Sequence, residues 1–160
     1  NYPDRSMDVG IAEEHAFLMA AGLSLKGYHP IISIYSTFLQ RCYDQISHDL
    51  SRMNLKSTVV IDRAGLVGND GTSHQGIFDE AMLYTIPNAV ITMPTYKEDV
   101  KKLIDLSISQ NKDKVYTIRI PRCECAHSRV HNEIQFGKWN LEIEGKDEAS
   151  VKNMMNLLKI

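Results

Sequence analysis

Short, β-branched apolar runs separated by stretches of helical period constrain this chain more than any other feature. Residues 57–61 read STVVI and residues 30–35 read PIISIY. Further apolar runs at 7–12, 89–93 and 115–120 bring the expected strands to five, and Pro121 closes the last. Helical patterns fall between them. Residues 13–26 offer Phe17, Met19, Ala20, Ala21 and Leu25 for packing, with Gly27 as the stop. Residues 37–53 have Thr37 as the expected N-cap and Leu39, Tyr43, Ile46 and Leu50 at helical spacing. Two more helices are expected, at about 78–85 and at 95–110. Strand–helix alternation of this kind predicts an α/β protein. Its mostly parallel sheet would be covered by helices on both faces, a three-layer α/β/α arrangement.

With 160 residues, one domain with a hydrophobic core is expected at 1–122. Residues 123–160 read as a linker and partial segment leading towards a C-terminal domain, with an extended stretch at 135–144 and a weak amphipathic helix at 150–160. Apolar residues at 43% and charged residues at 24% argue against disorder. A net charge of −2 gives no electrostatic reason for a nucleic-acid or membrane-surface partner. The longest apolar stretch, 16–25, is interrupted by Gly22 and Ser24 and falls short of the roughly 20 residues of a spanning helix. No basic-then-apolar leader is read at its start. Three cysteines make a closed disulfide framework unexpected and a reducing compartment the default.

Open parallel sheets bind ligands beyond the carboxyl ends of their strands. Glu13, Glu14 and His15 follow the first expected strand; Tyr35, Phe38 and Arg41 follow the second. Asp62 and Arg63 follow the third and lead into a loop, 62–76, with Gly65, Gly68, Gly71 and Gly76, together with Asp70 and His74. Arg119 lies in the fifth, and Arg122 follows it. The opposite edge receives Lys26, His29, Asn54, Lys56, Asn88 and Lys112, ordinary turn residues. The loop lacks the Gly-Lys-Ser/Thr ending of a nucleotide-binding P-loop. Cys123, Cys125, His127 and His131 are spaced C-x-C-x-H-x3-H, tighter than usual structural zinc sites, so chance clustering in a linker is favoured over metal binding.

Three segments carry a family resemblance: DVGIAEEHA (8–16), IYSTFLQRCYDQISHD (34–49) and DRAGLVGNDGTSHQG (62–76). Together and in this order they closely resemble the pyrimidine-binding domain of the 1-deoxy-D-xylulose-5-phosphate synthases, thiamine diphosphate enzymes of the transketolase-like group. The resemblance covers about residues 5–122 and continues weakly to about 144. It implies the transketolase pyrimidine-domain fold. It also implies roles that the residues alone leave open. Glu13 would hydrogen-bond N1′ of the cofactor's aminopyrimidine and favour its imino tautomer, a relay in general acid–base catalysis; by position it is equally a carboxylate favoured by a helix dipole. Phe38 would stack on the pyrimidine, where core packing is the alternative. Tyr35 and Arg41 would face substrate, although Arg41 also reads as a solvated helix arginine. Arg63 and Arg122 would hold the phosphate of glyceraldehyde 3-phosphate, guanidinium forks being suited to that geometry; surface ion pairs with Asp62 or Glu124 are the alternative. Asp70 and His74 would bind substrate hydroxyls, His74 also assisting proton transfer.

Some positions depart from the family: Glu14 stands where glutamine is common, Ser73 where threonine is usual and Cys123 where glycine is common. His15 would be a structural or supporting residue, although a lone histidine in a first turn is more often on the surface. The implied reaction is a decarboxylating condensation of pyruvate with glyceraldehyde 3-phosphate, feeding isoprenoid and thiamine synthesis. Thiamine diphosphate is the implied cofactor, with Mg²⁺ bound by a separate diphosphate domain, so the chain alone is expected to be inactive. The family implies a homodimer, in a bacterial cytoplasm or a plastid-type organelle. Two rival readings are another transketolase-like enzyme and a non-catalytic folding or dimerisation module.

Overall fold

The β-branched runs do form strands, and all of them run parallel. A computed structural model describes residues 2–110, 112–123 and 134. Among these, β1 (Ile31–Tyr35), β2 (Ser57–Asp62), β3 (Ala89–Thr92) and β4 (Val115–Ile120) form one four-stranded sheet in the order β1-β2-β4-β3. The register aligns the carboxyl ends: Tyr35 lies opposite Asp62, and Asp62 opposite Ile120. Residues expected to follow different strands therefore emerge side by side.

Helices cover both faces. On one side lie α1 (Glu13–Leu25), α2 (Ser36–Leu39) and α3 (Asp79–Leu83), and on the other α4 (Lys97–Gln110). Phe17, Ile32, Leu39, Ile46, Leu50, Val59, Ile61 and Leu83 form the larger core. Leu103, Leu106, Tyr116 and Ile118 form the smaller one under α4. Val115 belongs to the first and Tyr116 to the second, so the two faces of β4 are both dry, as a central parallel strand requires. Each fully buried side chain of this size contributes about 1.5–3 kcal/mol. Thr58, buried in β2, ties the layers together. Ser107 donates to the carbonyl of Ile104 and accepts from Thr58 at 2.8 Å. Thr58 must then accept from Nε2 of His29 at 2.7 Å, which places a hydrogen on that nitrogen. Burial, and secondarily Lys56, lowers the His29 pKa.

Three expectations need correction. Residues 7–12 are not a strand. The Gly10 N–H is taken by the Asp8 side chain at 2.8 Å, and Gly10 has φ of 67°, so the chain turns where a ladder would need extended backbone. Met7 and Ile11 accordingly stay exposed, at 62% and 92%. The helix expected at 37–53 begins instead at Ser36, directly off Tyr35. It divides into α2, a 3-10 turn at Gln40–Cys42 and a π-helical stretch at Gln45–Ser51. The tighter turn, three residues per revolution, brings Cys42 under Leu39 in place of Tyr43. Tyr43 points outward and shares a hydrogen bond with Thr85. Finally, α1 ends at Leu25, which is exposed, while Ser24 turns inward and donates to the carbonyl of Lys56. The remaining strands and helices lie within two residues of their expected bounds. The segments at 135–144 and 150–160, with Cys125, His127 and His131, lie outside the described residues; Cys123 is exposed. No described helix is long and apolar enough to cross a membrane.

Candidate active site

The shared register turns three strand ends into one platform. Tyr35 closes β1, Arg63 follows β2 and Arg122 lies two residues beyond β4. Arg63 adopts a left-handed backbone, φ 57°, with its N–H held by the Asp62 side chain at 2.8 Å. That turn directs its guanidinium over the Tyr35 ring, 4.1 Å from the centroid. Asp62 is thus a backbone partner of Arg63. The side-chain partner is Asp70, at 2.7 Å. Arg122 reaches the other oxygen of the same carboxylate.

The second half of the platform comes from α1 and α2. Phe38, one turn beyond Tyr35, stacks nearly parallel to it at 5.7 Å and 14°. The Arg41 guanidinium lies 4.9 Å from the Phe38 centroid and donates to Glu13 at 2.9 Å. Glu13 sits in the first turn of α1, and only 12% of its side chain is exposed. His74 meets the edge of Phe38 at 5.8 Å and 81°, with Nδ1 2.9 Å from the Ser73 hydroxyl. A single line of contacts therefore runs Glu13–Arg41–Phe38–Tyr35–Arg63–Asp70–Arg122, and His74 joins it at Phe38. All eight site residues expected from the sequence belong to it. Glu14 and His15 are exposed and lie off the line.

Three guanidiniums and two carboxylates lie along this line, and the Asp62 carboxylate beside it also acts on Arg122. At Asp70 the Arg122 hydrogen bond holds the carboxyl below the usual range, against some desolvation, and the charges of Arg122, Arg63 and His74 act in the same direction. The Arg122 pKa is raised by the same contact. The arrangement can bind an anion between two arginines. The Phe38 ring, in contact with Tyr35 and Arg41, and the Glu13 carboxylate are the groups suited to orient a flat ring and one of its nitrogens.

Sequence reasoning missed what holds the loop in shape. Gly65 and Gly76 exchange two backbone hydrogen bonds, at 2.6 and 2.8 Å, and so close the loop at its base. A Cβ on Gly76 would lie 2.2 Å from the carbonyl of Arg63, so this closure requires glycine. Gln75 bridges the arc: its Oε1 accepts from the Val67 N–H at 2.9 Å, and its Nε2 donates to the Gly71 carbonyl at 2.7 Å. Beyond the loop, Arg119 clamps α3 to β4 by pairing with Asp79 at 2.8 and 3.1 Å and with Glu80 at 2.9 Å. Neither periodicity nor composition signals these contacts, because each joins groups that are set side by side only by the folded loop and sheet. A cavity of about 670 Å³ lined by Ser36, Thr37, Gln40, Thr72 and Phe78 lies against the loop, and none of the eight residues lines it. Cys42, behind Glu13 and Arg41, has its thiol pushed up to about 12, chiefly by burial and then by Glu14 and Glu13, so it stays a neutral core side chain. Among the described residues, no group of three or more His, Cys, Asp or Glu could hold a metal ion.

Comparison with known proteins places this geometry in a family. The family model for the transketolase pyrimidine-binding domain matches residues 1–126. The 1-deoxy-D-xylulose-5-phosphate synthase of Listeria monocytogenes serotype 4b is 48% identical over 149 residues, covering 91% of this chain and 24% of that protein. The enzyme of the same name from Geobacillus sp. is 46% identical over 151 residues, 92% of this chain and 24% of that one. That of Clostridium acetobutylicum is 43% identical over 153 residues, 94% and 24% respectively. The chain thus spans about a quarter of the length of the curated relatives it matches. Among solved structures, a split-gene transketolase in an inactive β4 tetramer superposes with a TM-score of 0.71 at 26% identity, covering 84% of this chain and 42% of that one. The chain belongs to the transketolase pyrimidine-binding domain family.

Proposed function

We propose that this chain is the pyrimidine-binding part of a 1-deoxy-D-xylulose-5-phosphate synthase, an enzyme that condenses pyruvate with glyceraldehyde 3-phosphate and releases carbon dioxide. The observation that carries the reading is the unbroken line of contacts from Glu13 to Arg122 along one sheet edge. The donor set suits the pyrimidine half of thiamine diphosphate: a mostly buried carboxylate and a half-buried phenyl ring lie one side chain apart. When bound, thiamine diphosphate supplies a carbon nucleophile and an electron sink for decarboxylation. Glu13 accepts a hydrogen bond from the ring nitrogen N1′ and so holds the proton that sets the ring's tautomer. Phe38 fixes the ring plane. Arg63 and Arg122 grip the aldehyde's phosphate through charge-assisted hydrogen bonds. Asp70 and His74 bind its hydroxyls, and His74 moves a proton there. Tyr35, through its hydroxyl, and Arg41 line the substrate side.

Residues 1–122 form this domain, and 123–160 lead on towards a further one. Mg²⁺ and the diphosphate belong to a separate domain, so the chain alone does not turn over. The working enzyme is a homodimer, and its bacterial relatives favour a bacterial cytoplasm over a plastid. The test is Glu13→Ala in a full-length enzyme carrying this domain. Turnover is expected to fall by about 10²–10⁴, the usual contribution of a positioned acid–base group. The melting temperature should barely move, since Arg41 is a half-exposed partner. Near-normal turnover would sink the assignment.

A further inference from the structure

The 65–76 loop has a built-in brace whose position bears on substrate choice. Its base is fixed by the Gly65–Gly76 exchange. Its arc carries two single 3-10 turns, Gly68–Asp70 and Thr72–His74, joined at Gly71 with φ of 79°. Asp70 sits on that arc, three residues after Val67 and one before Gly71. Those two residues are the ones held by the Gln75 side chain, through Oε1 to the Val67 N–H and Nε2 to the Gly71 carbonyl. Both ends of the amide are used, and in opposite senses, so neither an acid nor an alkyl chain reproduces them. Val67 is 6% exposed, so its N–H has little access to water if Gln75 is removed. The Gln75 side chain thus bonds to loop backbone, at Val67 and Gly71, on either side of Asp70.

We propose that Gln75 is a positioning residue for the phosphorylated substrate: it pins the arc on which Asp70 stands and so brings Arg63 and Arg122 to one point. The inference rests on the reading that these two arginines hold the substrate's phosphate. Among the described residues, Asp70 is the carboxylate both guanidiniums reach, from strand ends on β2 and β4. If the arc drifts, that shared anchor moves and the two forks no longer converge. Only part of the enzyme then presents the converged pair, and apparent affinity for the phosphorylated aldehyde falls by that fraction. Pyruvate carries no phosphate and should not register the change.

The experiment uses a full-length enzyme carrying this domain, with Gln75→Met, which keeps the length but loses both hydrogen bonds, and Arg122→Ala in parallel. Gln75→Met is expected to raise KM for glyceraldehyde 3-phosphate about tenfold, equivalent to about 1.4 kcal/mol. KM for pyruvate should stay within about twofold and kcat within about threefold, since loss of uniform binding shows in KM. Competitive inhibition by inorganic phosphate should weaken by the same factor as the aldehyde's KM. Equal rises in both KM values, no rise in either, or a variant that fails to fold would each overturn the proposal, the last because the loss would then be global. If Arg122→Ala also leaves the aldehyde's KM unchanged, the phosphate reading itself fails. If Arg122→Ala raises it and Gln75→Met does not, only the role of Gln75 fails.

Discussion

Two arginine–aspartate pairings, less than a strand's width of sequence apart at their arginines, serve opposite ends. Arg119 is buried and meets Asp79 through two nitrogens, one to each oxygen. Asp79 is 2% exposed, and its two oxygens are both taken by one guanidinium. Such a pair is closed on itself: it joins α3 to β4. Arg122, three residues on, is half exposed and shares Asp70 with Arg63, which is itself partly open to solvent. Here one carboxylate is divided between two guanidiniums, each with donors to spare. Side-chain chemistry is the same in both places. What separates a clamp from a candidate binding site is exposure and the ratio of donors to acceptors.

The comparison can be tested in descending order of effect. Arg119→Ala strands the Asp79 carboxylate in the interior and is expected to cost about 3–5 kcal/mol in chemical unfolding. A loss below about 1 kcal/mol would place this pair with surface salt bridges. Arg122→Ala should do the reverse: unfolding nearly unchanged, but KM for the phosphorylated aldehyde raised about tenfold to a hundredfold, the range for losing a charged hydrogen bond. The smallest effect is a titration. The Asp70 pKa is depressed in the folded protein, so its grip on the arginines is complete above the ordinary carboxylate range. That grip persists as pH falls through the range and is lost only below it, through the lowered pKa. Carbon NMR of the Asp70 carboxyl should show a midpoint below the usual value of about 3.9. The midpoint should rise in Arg122→Ala and stay put when a remote surface arginine is replaced.

The central sheet was readable because the runs at 57–61 and 115–120 are β-branched and bounded by polar turns or proline, so local preference and burial agree. Residues 7–12 failed for an instructive reason. Apolar content suggests a strand, but a strand needs a neighbour for its amides, and here Asp8 and Gly10 satisfy one another locally. The run at 37–53 was legible as helical, but not its changes of pitch, which depend on how Leu39, Cys42 and Ile46 meet the core. The eight candidate residues were named from strand ends and family motifs, and the approach of Tyr35, Arg63 and Arg122 to one another follows from strand register. Asp70 as a shared anchor, Gln75 as a brace and Arg119 as a clamp were not, because each depends on contacts between distant segments. Glycine spacing marks a loop without saying what closes it.

The aligned strand ends make the sheet a measuring stick. Neighbouring strands lie about 4.8 Å apart, so side chains leaving β1, β2 and β4 start from points set at whole multiples of that interval. Tyr35, Asp62 and Ile120 lie in one row across it. The reach between the aromatic end and the Arg122 end is therefore dictated by backbone ladders that few surface substitutions disturb. Insertions at the far edge of the sheet would leave that reach untouched. Removing one residue within β2 would shift Arg63 by about 3.3 Å and reverse the faces of the strand beyond the cut, more than any guanidinium fork can absorb.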